Sequence, residues 1–256
     1  MTSNTAREIA PGITVFTSRR MLTNSTVLAD RTHALLVDPG WQPDELEHIA
    51  DELDARDLTV IGGFSTHAHH DHLLWHPRWA AAPRWASPRT AELARTERDG
   101  LVDALGAGFP PDLVELMGRI GAVTDVLPDD SIPAGFEIEL IVHDGHAPGH
   151  TALWLPRQRV LIAGDMLSDI ELPLPFFPDD LASYLAALDV LAPFAAQAEL
   201  VIPGHGTVGT DARRRLNADR RYLDDVVRTG DSTDPRIRND GMADMHEHLQ
   251  QLVGAR

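Results

Sequence analysis

The residues with the clearest chemical potential lie within one short stretch near position 70. It reads Thr66-His67-Ala68-His69-His70-Asp71-His72 and follows directly on an apolar run. If that run is a β-strand, side chains two positions apart project to the same side, so His67 and His69 face one space. Asp71 and His72 can face the same space from the turn that follows. Four nitrogen and oxygen donors within six residues suit one or two transition-metal ions, whereas a cluster of surface histidines is the simpler alternative.

Three further candidate ligands each follow a strand-like segment and lie next to glycine or proline. They are His150 in Pro-Gly-His-Thr after 136–142, Asp165 in Gly-Asp after 159–163, and His205 in Pro-Gly-His-Gly after 199–202. Glycine and proline favour a sharp turn of the backbone at each point. Side chains at the ends of several strands converge on one edge of a sheet, which is how a sheet scaffold builds a rigid site. The sequence therefore predicts that all these residues belong to one metal site.

The ordered set of motifs resembles the metallo-β-lactamase-fold hydrolase superfamily, over a stretch from about Ile13 to Gly206. The resemblance is greatest to the branch that contains glyoxalase II and the acyl-homoserine lactonases. It implies an αββα sandwich, an α/β fold in which two β-sheets are flanked by helices. It also implies seven metal ligands: His67, His69 and His150 on one ion, Asp71, His72 and His205 on the other, and Asp165 bridging the two.

This ligand set implies a dinuclear hydrolase that uses two divalent metal ions. Zinc is the expected metal, although a set of nitrogen and oxygen donors also accepts iron or manganese. A hydroxide that bridges two ions about 3.5–4 Å apart would attack the carbonyl of an ester, lactone or thioester. The resemblance also implies that Asp71 is the catalytic residue, which both binds a metal and accepts a proton from the nucleophile. Two alternatives stay open: an iron-dependent oxygenase of the persulfide dioxygenase type, and a non-catalytic binding protein on the same scaffold.

Aromatic residues near the motifs are candidates for the wall of a substrate pocket. Trp75 and His76 follow the histidine motif, and Phe176 and Phe177 lie in the proline-rich loop after Asp165. They predict a small, partly apolar substrate, while packing in the core is the alternative for each of them. Nothing in the chain resembles the basic residues by which glyoxalase II holds the carboxylates of glutathione.

Other polar residues near the motifs receive no ligand role. His70 fills the variable slot of the motif and is expected at its rim. His146 either orients His150 or lines the mouth of the site, and a simple polar loop residue is the alternative. Tyr184 is comparable with the oxyanion-stabilising tyrosine of the lactonases, but its place on a leucine-striped helix favours packing. The remaining histidines expected at the surface are His33, His48, His246 and His248.

The charge and composition exclude several classes of function. The 256 residues include 22 Lys+Arg and 39 Asp+Glu, a net charge of −17, so a broad basic surface for nucleic acid is missing. The chain has no cysteine, which excludes disulfides, zinc–thiolate sites and the β-lactamase classes with a cysteine ligand. The segment 1–12 lacks an apolar signal sequence, and no apolar stretch approaches about 18 residues. We therefore expect a cytoplasmic protein that acts on a small molecule, with no nucleic-acid or membrane partner and an open oligomeric state.

Strand and helix signals alternate along the chain. The predicted strands are 13–17, 25–29, 34–38, 58–64, 136–142, 152–155, 159–163 and 199–202, and the predicted helices are 43–53, 88–96, 180–191 and 211–228. Ser87 as N-cap and Pro88 at the first helical position set one helix start. Pro193 is expected to end the helix that carries the leucine stripe Leu181, Leu185, Leu188 and Leu191.

The same signals predict how the chain is organised. One domain is expected to span residues 1–256, with 97–121 as a candidate cap over the pocket and 230–256 as a C-terminal helical extension. Five arginines in the helix 211–228 are expected to form a solvated face rather than a binding patch.

Overall fold

The structure, a computed structural model, describes residues 5–254. These residues form two compact units, one of residues 5–140 with 155–158 and one of residues 141–154 with 159–254. The single domain over 1–256 stays a prediction, and each unit is described by itself.

A seven-stranded sheet organises the first unit. In spatial order its strands are β1 (Thr5–Ala10), β2 (Ile13–Thr17), β3 (Asn24–Ala29), β4 (His33–Val37), β5 (Thr59–Phe64), β6 (Arg84–Ala86) and β7 (Gly121–Ala122). The first four strands pair antiparallel, and the last three continue the sheet in parallel from β4. Parallel neighbours need a crossover, and helix α1 (Pro43–Ala55) supplies it between β4 and β5. The histidine motif starts directly after β5.

Local sequence signals explain much of the first unit. Helix α1 buries Leu46, Ile49 and Leu53 on one face, as its periodicity predicted. Helix α2 (Pro88–Thr96) has the predicted bounds, and the Ser87 side chain accepts a hydrogen bond from the Thr90 N–H at 3.2 Å. The irregular region 97–121 contains two short helices, α3 (Arg98–Leu105) and α4 (Pro111–Leu116). Whether this region acts as a cap stays a prediction.

A glycine in β5 allows a tryptophan to lie against the sheet. A Cβ atom on Gly63 would come within 2.5 Å of the Trp75 ring. Trp75 is 1% exposed and belongs to the apolar core of the first unit, together with residues of α1. A larger residue at position 63 would therefore displace either the ring or the strand that leads into the histidine motif.

A four-stranded sheet and three helices organise the second unit. The sheet order is β11 (Leu200–Pro203), β10 (Val160–Gly164), β9 (Thr151–Leu155) and β8 (Glu139–Val142), and the helices are α5 (Leu181–Gln197), α6 (Ala212–Thr229) and α7 (Met242–Gly254). Strands β10 and β11 are parallel, with α5 as their crossover. Within residues 5–254, no helix combines the length and apolarity that crossing a membrane requires.

Several predicted elements are corrected by the structure. Pro193 does not end α5, which continues to Gln197 because Leu191 and Ala195, on either side of the proline, are both buried in the core. Leu185 is 39% exposed, so the buried stripe of α5 includes Tyr184 rather than Leu185. Strand β8 is three residues shorter than the predicted 136–142. Strands β1, β6 and β7 were not predicted; β6 and β7 have only three and two residues and so show no periodicity.

Two surface predictions are also wrong. His246 is 8% exposed, with its Nδ1 3.0 Å from the Tyr222 hydroxyl and its Nε2 3.0 Å from Asp231. Arg215 does not share the solvated face of its helix; it is 6% exposed and donates to the carbonyl oxygens of Leu167 and Thr207. In both cases hydrogen-bond partners elsewhere in the unit compensate for burying a polar group.

The core of the second unit gives a first testable prediction. Leu188 of α5 is fully buried, whereas Leu185 lies on the exposed face of the same helix. We expect Leu188→Ala to lower the free energy of unfolding by about 2–5 kcal/mol, because it leaves a cavity. Leu185→Ala should change it by about 0.5 kcal/mol or less. Denaturant unfolding of both variants measures this, and equal losses would contradict the packing of this helix.

Candidate functional site

Four potential metal-binding side chains of the first unit lie together after β5. They are His67, His69, Asp71 and His72; the ring of His67 contacts those of His69 and His72, and His72 lies next to Asp71. His67 and His72 are fully buried and Asp71 is nearly so. The Nε2 atom of His67 is 3.0 Å from Nδ1 of His69. Two imidazole nitrogens in such close contact need either a shared proton or a shared cation.

The carboxylate of Asp38, at the end of β4, orients these histidines. Asp38 accepts hydrogen bonds from the Thr66 N–H at 2.8 Å, the Thr66 hydroxyl at 2.7 Å and Nδ1 of His72 at 3.1 Å. Because the Thr66 hydroxyl donates to Asp38, it accepts from Nδ1 of His67, 2.9 Å away. Asp38 therefore places the proton of both His67 and His72 on Nδ1, which leaves each Nε2 as a lone-pair donor.

This tautomer fits a metal ion better than it fits a protein-only network. Nε2 of His72 lies 3.5 Å from Oδ2 of Asp71, so a ring lone pair faces a carboxylate oxygen in a buried position. Two acceptors repel each other unless a proton or a cation lies between them. Neutral imidazole nitrogen and carboxylate oxygen are the donors that zinc, iron and manganese accept.

A second group of candidate ligands lies at the ends of strands in the second unit. Asp165 follows β10, and its Oδ2 is 3.3 Å from Nε2 of His146 and 3.4 Å from Nε2 of His205. All three side chains are at most 5% exposed. Both imidazole nitrogens thus face the same carboxylate oxygen, at distances that a proton or a metal ion could bridge.

His150, a ligand predicted from the sequence, contacts the backbone of Asp165. Its Nε2 accepts a hydrogen bond from the Asp165 N–H at 3.1 Å, and its ring stacks on His143 at 4.7 Å. Nε2 is thus used to hold the backbone of Asp165. His146, four residues earlier, has a left-handed φ of 68°, which is uncommon for a residue with a Cβ atom and typical of functional sites. His146 is therefore a candidate ligand that the sequence did not predict, beside His150, whose role as a ligand stays a prediction.

Tight loop contacts fix the position of Asp165. A Cβ atom on Gly204 would come within 1.8 Å of the Asp165 carboxylate, so only glycine fits in the Pro-Gly-His-Gly loop. The Ser168 hydroxyl donates to the His205 carbonyl at 2.8 Å, and Arg215 bridges the two loops through the carbonyls of Leu167 and Thr207. The loops after β10 and β11 therefore hold each other rigidly.

Asp38 and Arg215 are the supporting residues that the sequence reading missed. Asp38 appeared there only as the last residue of a predicted strand. Its position before Pro39-Gly40, at the end of the strand next to β5, was the available signal. For Arg215 the sequence offered none, because it stands in a run of three arginines.

The predicted substrate residues of the first unit make structural contacts. The Trp75 indole donates to the Trp79 carbonyl at 2.9 Å. Nε2 of His76 is 2.9 Å from Glu47, and its Nδ1 accepts from the Arg78 N–H that begins a 3₁₀ turn. Both residues thus make contacts within the first unit, and their role toward a substrate stays a prediction.

The predicted substrate residues of the second unit divide between two environments. Phe177 is 48% exposed and lies 5.7 Å from the His146 ring, edge to face. Phe176 packs on His248 at 4.3 Å. Tyr184 is fully buried in the core, and burial raises the pKa of its hydroxyl well above the usual value. Phe177 is therefore the predicted residue that adjoins a candidate ligand.

Comparisons with known proteins are consistent with these motifs. The sequence profile of the metallo-beta-lactamase superfamily matches residues 19–205. An uncharacterized protein of Aquifex aeolicus (strain VF5) is 30% identical over 157 residues, which are 56% of this chain and 65% of that protein. The probable metallo-hydrolase YflN of Bacillus subtilis (strain 168) is 29% identical over 125 residues, 43% of this chain and 45% of that protein. The chain thus matches less than two thirds of the length of either relative.

Solved structures share the fold. A metallo-beta-lactamase from Pontibacter korlensis superposes with a TM-score of 0.62 at 21% identity, over 83% of this chain and 95% of the other. A metallo-beta-lactamase family protein from Thermus thermophilus gives 0.63 at 18% identity, over 88% and 85%. At these identities the likeness shows the fold alone, and it confirms the predicted α/β fold with two sheets flanked by helices. The profile covers the motifs that carry the candidate ligands from His67 to His205.

The role of Asp38 can be tested by a substitution that keeps its shape. In Asp38→Asn, an amide N–H group faces the Thr66 hydroxyl and Nδ1 of His72, which both donate to Asp38. His72 must then carry its proton on Nε2, the atom that would bind a metal. We expect metal affinity to fall by about 10–100-fold, the usual effect of losing such an orienting partner. Asp54→Asn, an exposed aspartate that pairs with Arg78, is the control and should leave affinity unchanged. Competition with a chelating dye measures both, and equal affinities would refute the role of Asp38.

Paired alanine variants distinguish His146 from His150. His146→Ala should lower the metal content by about one ion per chain, because a ligand is lost. His150→Ala should keep the stoichiometry and weaken affinity, because it loosens the Asp165 backbone. Elemental analysis of the folded variants measures the number of ions per chain. Loss of an ion in His150→Ala but not in His146→Ala would identify His150 as the ligand.

Proposed function

The chain belongs to the metallo-beta-lactamase superfamily, and on that premise we propose that it is a dinuclear hydrolase of ester, lactone or thioester bonds. One observation carries the proposal. Asp38 fixes the tautomers of His67 and His72, so that the Nε2 lone pair of His72 faces the carboxylate of Asp71 in a buried position. Burying these two acceptors face to face is costly without a cation, which a bound metal would supply.

The proposed ligands follow the resemblance, with one change. They are His67, His69 and His146 for one ion, Asp71, His72 and His205 for the other, and Asp165 shared by both. His146 takes the place first given to His150, since Nε2 of His150 accepts a backbone hydrogen bond. His150 is instead a positioning residue for Asp165. We propose zinc because the donors are imidazoles and carboxylates, with iron or manganese as the metals that the same donors accept.

The metals and the side chains would contribute different parts of the reaction. Divalent metals would supply Lewis acidity that activates a water molecule and polarises the substrate carbonyl. Asp71 is the proposed acceptor of the proton that the attacking water loses. Its two oxygens have different neighbours, since Oδ2 faces His72 and Oδ1 lies 3.8 Å from Nδ1 of His70. One oxygen can therefore bind metal while the other takes the proton.

The proposed substrate is a small molecule with an apolar part. Phe177, exposed beside His146, offers an aromatic surface next to a candidate ligand. The net charge of −17 disfavours polyanionic substrates such as nucleic acid. A lactone or an acyl ester combines a hydrolysable carbonyl with an apolar chain or ring, and it is our proposed substrate class. We also propose that the chain is related to the branch of glyoxalase II and the lactonases, and that it acts in the cytoplasm.

Metal content and activity, measured together, test the function. The purified protein should contain about two zinc ions per chain and hydrolyse members of a panel of lactones, esters and thioesters. Asp165→Ala should lower the content toward about one ion and abolish hydrolysis, because it removes the shared ligand. His70→Ala is the matched control, since His70 packs edge to face on Trp41 and should leave the metal content intact.

Different outcomes contradict different parts of the proposal. About one iron ion per chain, with oxygen consumption, would favour the oxygenase alternative. Unchanged metal content in Asp165→Ala would remove that residue from the shared position. Loss of an ion in His70→Ala would make His70 a ligand. A protein that takes up no metal would end the hydrolase proposal.

A further inference from the structure

A cavity in the first unit, separate from every proposed ligand, has unusual walls. Its volume is about 600 Å³, within the range of small-molecule sites. It lies along β6, with one wall from residues 80–85 and another from residues 116 and 119–121. Two arginines, Arg84 and Arg119, contribute its charge, and Trp75 and Trp85 its aromatic surface. Its lining residues all belong to the described part of the chain, and none of them is acidic.

Arg84 is a buried cation that lacks an acidic partner. It is 7% exposed, and no carboxylate within residues 5–254 forms an ion pair with it. Its guanidinium lies over the Trp75 ring at 5.1 Å. It donates to the carbonyl oxygens of Leu73, at 3.5 Å, and of Leu116. These two carbonyls use two of its five N–H donors, so the group retains donors for a further acceptor.

Arg119 adds a second positive charge to the same cavity. Its one ionic partner among the described residues is Glu115, at 2.9 Å, and both side chains are more than half exposed. Such pairs contribute little, so Arg119 can turn toward a ligand at small cost. Burial first, and the Arg119 cation second, lower the pKa of Arg84 to about 9. Arg84 therefore stays charged at neutral pH in a place that lacks a compensating anion.

The remaining walls are apolar. The Trp85 indole N–H donates to the Ser131 hydroxyl at 3.3 Å, and the Trp75 N–H to a backbone carbonyl, so the rings present carbon surface. Gly121 lies close enough to the Trp85 ring that a Cβ atom there would be 2.9 Å from it. Residues 80–82 are three alanines, which leave room beside the rings. The cavity thus combines a cationic end with an apolar body.

We propose that this cavity binds a small organic carboxylate with an apolar, planar body. The carboxylate would accept bidentate hydrogen bonds from Arg84 and a charge-assisted bond from Arg119. The planar body would lie against Trp85 and the small apolar residues. The site does not depend on the proposed hydrolase activity, because none of the proposed ligands lines it.

The chemistry favours this class over an inorganic anion. Phosphate would engage the two guanidinium groups and leave the apolar walls in contact with water, which loses the hydrophobic part of the binding free energy. A neutral aromatic molecule would fill the walls and leave the buried charge of Arg84 without an anion. A compound that carries both a carboxylate and an apolar ring pairs with the charge of Arg84 and covers the apolar walls.

Isothermal titration of the metal-loaded full chain with 2-naphthoate tests the proposal. The neutral isostere 2-naphthamide and inorganic phosphate are the comparison probes. We expect 2-naphthoate to bind and both comparison probes to bind at least about tenfold more weakly. Arg119→Gln should weaken 2-naphthoate by about threefold to tenfold, since it removes one charge-assisted bond.

Two further variants separate this cavity from other sites. Arg89→Gln is the matched control, because Arg89 is also an exposed arginine paired with a nearby glutamate but does not line the cavity. It should leave binding unchanged. Arg84→Lys keeps the charge and loses the planar fork, so it should weaken binding more than Arg119→Gln. Because Arg84 also contacts Leu73, next to His72, Arg119→Gln serves as the primary test.

Three results would overturn the proposal. The first is equal binding of 2-naphthoate and 2-naphthamide, which would make the charge irrelevant. The second is phosphate binding as tightly as 2-naphthoate, which would make the apolar walls irrelevant. The third is 2-naphthoate binding that neither arginine variant changes, which would place the anion elsewhere, for instance on bound metal.

Discussion

The carboxylate of Asp38 is the constraint on which the first group of candidate ligands depends. It accepts three hydrogen bonds, and each bond to a charged acceptor contributes about 1.5–3 kcal/mol. Through these bonds it ties the end of β4 to the motif after β5 and sets the tautomers of His67 and His72. The polar loop that follows β5 is thereby preorganised to present lone pairs, so that folding, rather than metal binding, orders these side chains.

The candidate ligands of the second unit are held in place by different contacts. Backbone and side-chain contacts, rather than one carboxylate, hold the loops that carry Asp165 and His205. His150 accepts from the Asp165 backbone, and Arg215 ties both loops through their carbonyls. Gly204 leaves space that any Cβ atom would fill. Buried charged groups are retained in such places when their hydrogen bonds are satisfied, as they are for Arg215.

Elements with strong local signals were predictable from the sequence, and elements set by packing were not. Helix α2 starts where Ser87 and Pro88 indicate, because capping is a contact among neighbours in the chain. Helix α5 continues past Pro193, because burial of Leu191 and Ala195 outweighs one lost backbone hydrogen bond. Strands β6 and β7 exist only because the edge of an existing sheet pairs with them, and their few residues carry no periodicity of their own.

The sequence by itself determined the fold class and the motifs that supply candidate ligands, because donor types, spacing and turn residues are local properties. Only the tertiary structure decided what the ring nitrogens of these histidines contact. His146 and His150 lie four residues apart and each follows a glycine, and the sequence predicted only His150 as a ligand. They differ because the Asp165 N–H engages Nε2 of one, while Nε2 of the other faces the carboxylate. The same holds for Arg84, whose burial without an acidic partner follows from packing between distant segments.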